Sequence, residues 1–161
     1  MRHRLANYFD ENLREDIFDY VPPQKTNQIF TPRRVVAQMV DMLEQENPVC
    51  FDDSTHTFAD LYMKSGLYIT EIIKRLYRNE GMRDAYPDDR ERLDHILEHQ
   101  VYGIAPTEII YQIATHYILG CDDEVGNGCK THFVKADSAE LAKNGKLSEY
   151  VEQVFVDSLN D

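Results

Sequence analysis

An α/β domain built on a partial parallel sheet of about three strands is what this chain predicts, and three observations predict it. Three short runs rich in β-formers, T-F-A-D-L-Y at Thr57–Tyr62, Q-V-Y-G-I at Gln100–Ile104 and H-F-V-K-A-D at His132–Asp137, alternate with stretches of helical apolar spacing. Each run is followed by a polar or glycine-bearing turn and then a helix, the order that builds parallel strands with right-handed crossovers. A length of 161 residues suits one core, without a second one.

From the N-terminus, Leu5, Tyr8, Phe9, Leu13 and Ile17 recur at helical spacing and predict a helix over residues 3–18, with Pro22 and Pro23 marking its limit. Residues 1–30 form a helical N-terminal segment and linker in this reading, and residues 31–161 the sheet domain. In I-F-T-P-R-R-V-V-A-Q-M-V-D-M-L-E, Thr31 is placed as an N-cap and Pro32 at the first helical position. Val35, Val36, Met39, Val40 and Leu43 then form one apolar face. After a polar loop over residues 47–55 comes the first strand, then a helix over Leu67–Arg78, then a charged connection through Pro87. A helix over Asp89–His99 leads into the second strand, and Thr107 caps a helix that stops at Gly120. A loop with Gly126 and Gly128 precedes the third strand. A last amphipathic helix uses Leu147, Tyr150, Val151, Val154 and Phe155.

Composition narrows the function classes. No stretch approaches the roughly 18 apolar residues of a membrane span, and the first residues lack the apolar run of a signal peptide, so a cytoplasmic protein is expected. Cys50, Cys121 and Cys129 are odd in number and contain no C-x-x-C pair, against both a disulfide framework and a structural zinc site. A net charge of -12 opposes binding of a polyanion by this chain alone. Lys25, Arg33 and Arg34 could meet phosphates, though isolated basic residues near a helix start are ordinarily solvated.

Ligands of open parallel sheets bind beyond the carboxyl ends of the strands, where a glycine turn lets backbone approach. Asp60 with Lys64, Ser65 and Gly66 follows the first strand, Thr107 with Glu108 the second, and Asp137 with Ser138 the third. Singly, each such Asp or Ser reads equally as a helix cap; their ordered recurrence points to a site.

Together with Phe30-Thr31-Pro32 upstream, this arrangement resembles the cofactor-binding half of the S-adenosylmethionine-dependent DNA adenine-N6 methyltransferases of restriction-modification systems. Those carry (Y/F)-T-P before a helix, then D-P-x-x-G-S-G, then G-(I/V)-D/E after the second strand, then an Asp after the third. Here D-L-Y-M-K-S-G at Asp60–Gly66 keeps Asp60, Ser65 and Gly66, with Leu61 for Pro and Lys64 for Gly; Tyr102-Gly103-Ile104 matches the third motif's lead-in and Asp137 the fourth. The resemblance spans residues 24 to 140. It implies a Rossmann-like domain in which Thr31 and Pro32 cover the cofactor S-adenosylmethionine, Gly66 admits its amino-acid part and Asp137 hydrogen-bonds the adenine amine. Double-stranded DNA is the implied partner of a full-length parent.

The chain departs from that family in three places. Ala105 stands where an acid would hold the ribose hydroxyls, and its side chain accepts nothing, leaving Glu108 either to reach back or to face solvent. Lys64 adds a cation beside a sulfonium ligand. The (N/D)-P-P-(Y/F) motif that holds a flipped adenine is absent, and V-D-S-L-N-D falls where a fourth strand is expected. A fragment that does not methylate DNA by itself is therefore the expectation, completed by a C-terminal half, a partner subunit or a second copy of itself. Two alternatives stand beside it. One is a non-catalytic scaffold or interaction module. The other is a zinc hydrolase using H-I-L-E-H at His95–His99, whose imidazoles lie four residues apart on one helical face but lack an identified third ligand.

Overall fold

The computed structural model describes residues 31–120 and 132–156. The helix predicted over residues 3–18, Phe30, Lys25, Cys121, Cys129 and the loop with Gly126 and Gly128 lie outside the described residues.

Three parallel strands run in the order β1 (Phe58–Asp60), β2 (Val101–Ala105) and β3 (His132–Lys135), so sequence order and spatial order coincide. Asp60 lies opposite Gly103, and Ala105 opposite Lys135, which brings the three carboxyl ends to one edge. All five residues of central β2 are buried, as a strand covered on both faces requires.

Alternation along the strands divides the core. Val101, Ala105 and Phe133 pack into a large cluster with the helices α1 (Arg33–Glu46), α2 (Leu67–Arg78) and α5 (Glu108–Leu119). Tyr102 and Ile104 point to the opposite face, where Phe155, Leu147, Tyr150, Val151 and Val154 cover them. The last apolar segment forms α7 (Leu147–Val151) and continues as a π-turn (Glu152–Val156), on the spacing the sequence predicts. The protein is thus a small parallel α/β sheet with helices on both faces.

α2 occupies the predicted span and buries Leu67, Ile69, Ile72, Ile73 and Leu76. Each such side chain contributes about 1.5–3 kcal/mol on leaving water. Its Arg75 reaches across to α1, donating to Asp41 at 2.5 Å and pairing with Glu44, while Glu71 lies 3.5 Å away on the same helix.

Several elements differ from the sequence prediction. Thr31 does not cap α1: Pro32 takes the N-cap place without a side-chain bond, and its carbonyl accepts from Val35 and Val36. The charged connection after α2 contains a further helix, α3 (Glu80–Ala85), capped by Asn79, whose side chain accepts from the Met82 amide. α4 (Asp89–His95) is shorter than predicted, because the chain widens into a π-turn over Ile96–Gln100 before entering β2. The third strand stops at Lys135, since Asp137 caps a short helix, α6 (Ser138–Lys143), by accepting from the Glu140 amide.

Candidate functional site

The T-F-A-D-L-Y segment leaves the sheet at Asp60, and the chain bends at once. The Asp60 carboxylate accepts the Tyr62 amide at 3.1 Å, an Asx turn in place of a helix cap. The Met63 amide then donates to the Ile104 carbonyl at 2.8 Å, laying this segment over β2, and Met63 is fully buried. Gly103 exists for that crossing: a Cβ there would come within 2.8 Å of the Met63 sulfur. Ser65 Oγ accepts the Leu67 amide at 3.3 Å, and Gly66 at φ 78° starts α2.

Gly66 is required twice, by its left-handed backbone and by space, because a Cβ would lie 3.0 Å from Ile118 Cγ1 and 3.1 Å from the Ala114 carbonyl oxygen. Its absent side chain therefore serves the packing of α2 on α5. Asp60, Lys64, Ser65 and Gly66 line a cleft of about 460 Å³ together with Thr31, Val36, Met39, Ala59, Leu61, Tyr62, Leu67 and Tyr68. That volume suits a small organic ligand.

The cleft has an acidic centre with a basic rim. Asp60 is half-buried, and burial pushes its carboxyl above the ordinary value of 3.8, against the Tyr62 amide and the Lys64 charge, which pull it down. Tyr68 is raised by its own burial and then by the Asp60 charge. The Lys64 ammonium stands 5.6 Å from the centroid of the Tyr62 ring. Met39, Tyr62 and Leu61 remain 46%, 46% and 37% exposed, so the cleft offers apolar surface as well.

The other predicted site residues do not line this cleft. Pro32 is exposed at the start of α1. Ala105 is fully buried, its side chain in the core with α2 and α5 and its carbonyl accepting the Ala136 amide, so nothing at that position meets a ribose. Glu108 takes the solvent-facing course: exposed at the first turn of α5, its carboxylate accepts Gln112 at 2.9 Å and Lys135 at 2.7 Å, and these partners hold it below the usual carboxylate range. Asp137 is exposed and caps α6, and Ser138 is buried behind it. β1 and β3 flank β2, so their ends stand about 10 Å apart.

Three contributors to the cleft escaped the sequence reading. Met39 lies on the apolar face of α1 by its spacing, yet it is exposed and lines the cleft, as do Tyr62 and Tyr68; a tyrosine two residues after a strand-end Asp is the signal the sequence offers. Arg33 donates to the Tyr117 hydroxyl at 3.0 Å, a contact within the protein.

At the opposite end of the sheet lies a second, smaller cavity of about 310 Å³ between Asp52, Asp53, His56 and Gly81. The H-I-L-E-H histidines are near it. His95 donates from Nε2 to the Ser54 carbonyl at 3.0 Å and stacks on Tyr86, and its ring lies 5.0 Å from that of His99. Burial, followed by the neighbouring His99, lowers the His95 value, and the Ser54 carbonyl and Glu98 oppose it. Among the described residues no group of three or more His, Cys, Asp or Glu side chains is placed to hold a metal ion. No helix among them is long and apolar enough to cross a membrane.

Compared with family models, with curated proteins and with solved structures, the chain matches none. The fold and cleft define a class only: a parallel α/β domain with a ligand-sized opening at the carboxyl end of an edge strand.

Proposed function

We propose that the cleft binds an S-adenosyl nucleoside and that the chain is the cofactor-binding portion of a Rossmann-like, site-specific DNA adenine-N6 methyltransferase. One observation carries the reading. Thr31 of the F-T-P motif and Asp60, Lys64, Ser65 and Gly66 of the D-x-x-x-K-S-G motif, about thirty residues apart in sequence, line one cleft at the carboxyl end of β1. Open parallel sheets hold nucleosides in that position. In this reading Asp60 faces the positive end of the ligand, and Tyr62, Met39 and Leu61 cover its apolar parts. The ribose is held without the acid that the resemblance implies at Ala105.

Catalysis is assigned to residues outside this chain. The (N/D)-P-P-(Y/F) motif that would hold a flipped adenine is absent from the sequence, and a chain of charge -12 needs a basic partner to engage double-stranded DNA. Methyl transfer in the complete assembly is a displacement at the sulfonium carbon, promoted by alignment of the attacking nitrogen with the methyl group.

Calorimetric titration with S-adenosylmethionine and S-adenosylhomocysteine tests the binding. Saturable heat that Asp60→Ala weakens at least tenfold, about 1.4 kcal/mol, is the expected result. Heat equal to dilution for both ligands removes the proposal.

A second reading has its own observation. Among the described residues β1 is an edge of the sheet, and its Ala59 is exposed beside the exposed Leu61 and Tyr62, which suits strand addition by another polypeptide. On that reading the chain is an interaction module. Sedimentation showing a stable oligomer, together with no nucleoside binding, would place it first.

A further inference from the structure

One apolar stripe of α1 stands open among the described residues. Val35, Met39 and Met42 follow one another at helical spacing along its outer side, and Met42 is 60% exposed. The stripe continues across the rim of the cleft onto Leu61 and Tyr62, which line it with Met39. Four of the seven large apolar side chains exposed among the described residues thus lie on one surface, the pattern of a docking face and not of scattered exposure. The charges of α1 are ordered as well. Arg33 and Arg34 open the helix, Asp41, Glu44 and Glu46 close it, and residues 35–60 contain no Lys or Arg. Arg75 pairs with Asp41 and Glu44 but brings one charge to their two.

We propose that residues 3–18 of the same chain dock on this stripe as a helix antiparallel to α1. The segment bears an apolar face of its own, with Leu5, Phe9, Leu13 and Ile17 at helical spacing. Its length matches the stripe: sixteen residues make a helix of about 24 Å, beside about 21 Å for α1. The connection over residues 19–32 can extend to about 45 Å. Packed helix axes lie only about 8–10 Å apart, so the connection reaches. Charge sets the direction. Residues 1–9 hold Arg2 and Arg4 and no carboxylate, whereas residues 10–19 hold five carboxylates against Arg14 alone. Laid antiparallel, the basic start of the segment meets the acidic end of α1 at Glu46, and the acidic half meets Arg33 and Arg34; laid parallel, like charges face each other at both ends. The docked helix covers Met42 and borders the cleft at Met39, whichever ligand the cleft takes.

The test is amide hydrogen exchange and hydroxyl-radical oxidation on the full 161-residue chain. In the wild type, residues 5–17 are expected to exchange at least about tenfold more slowly than an unstructured peptide. Met42→Asp should remove that protection while residues 101–104 keep theirs, which shows the sheet intact. Phe9→Asp reads the contact from the other side, on an unaltered α1, by faster oxidation of the Met42 thioether. Arg4→Glu should weaken the protection, and Glu46→Arg added to it should restore it, an outcome that only the antiparallel direction gives. Fast exchange of residues 5–17 in the wild type overturns the inference, as does protection that neither Met42→Asp nor Phe9→Asp changes. Protection that falls on dilution from about 100 to about 5 µM also overturns it, by assigning the stripe to a second copy of the chain. Failure of Glu46→Arg to restore protection overturns the antiparallel direction.

Discussion

The two ends of the sheet are fastened in different ways. At the amino end the bonds are long-range. Gln100, fully buried, donates to the carbonyls of Asp53 and His56 at 3.2 and 3.1 Å. His132 bonds the Glu98 carbonyl at 2.7 Å, His95 the Ser54 carbonyl, and Asn79 the Asp52 carboxylate. Side chains here tie the loop before β1, the π-turn and β3 into one unit. At the carboxyl end most bonds are local: Asp60 to Tyr62, Ser65 to Leu67, Thr107 to Ile110, Asp137 to Glu140. Bridges between elements there include the Glu108 and Lys135 ion pair, the Ala136 amide on the Ala105 carbonyl and the backbone crossing at Met63. Rigidity at one end and local, separable turns at the other is the division expected of a fold that presents a site on loops.

The comparison can be broken first at the amino end. Gln100→Ala removes both bonds and leaves a cavity at a fully buried position, so unfolding in urea should show a loss of about 2–3 kcal/mol. A loss below about 0.5 kcal/mol would mean that the amino end is not fastened by this residue. Gly66→Ala tests where the carboxyl end is welded to the core. Its positive φ and the 3.0 Å approach of Ile118 Cγ1 predict a cost of about 1–3 kcal/mol by the same measurement, with ligand affinity falling only as far as the backbone shifts.

Two smaller effects follow from charge. Burial raises the Asp60 carboxyl above 3.8, so the folded chain binds that proton more tightly than the unfolded one. Stability tied to this group is present below about pH 4 and is lost as pH rises through the folded value. Asp60→Asn should accordingly melt higher than the wild type near neutral pH, the two converging at about pH 3, while losing cleft affinity; a lower neutral melting temperature would contradict the account. His95 has the opposite sign. Its value lies below 6.5, so its contribution is present above 6.5 and is lost as pH falls below it. His95→Phe should flatten the acid side of the melting profile. Least of all is expected from Glu108→Gln: its partner pair is exposed, so neither the melting curve nor S-adenosylhomocysteine binding should move measurably.

Much of the architecture was legible because periodicity states it. α2 fell on its predicted residues, Thr107 caps α5 as its sequence position suggests, and Gly120 ends that helix at φ 82°. What escaped depended on competition between local choices. Pro32, at ψ 144°, is extended where the first helical residue was expected, so it takes the cap place and the helix begins one residue later. The π-turn at Ile96–Gln100 keeps an apolar helical pattern while changing its phase, so spacing alone reads it as α-helix. For the site, the sequence named Asp60, Lys64, Ser65 and Gly66, which do meet in one cleft. Asp137 satisfies a local partner instead, as Asp near a helix start often does, and Glu108 pairs with Gln112 one turn on and with Lys135 of β3.

The central claim is that the carboxyl end opens and binds while the amino end stays closed, and amide hydrogen exchange with and without S-adenosylhomocysteine tests it most directly. The account predicts slow exchange in residues 100–104 and 132–134 in both samples, faster exchange in residues 60–66 of the free chain, and slowing of that segment, with no change at the amino end, when ligand is added. Ligand-induced slowing at residues 52–56 and 81–85, which border the smaller cavity, or none at residues 60–66, would contradict it.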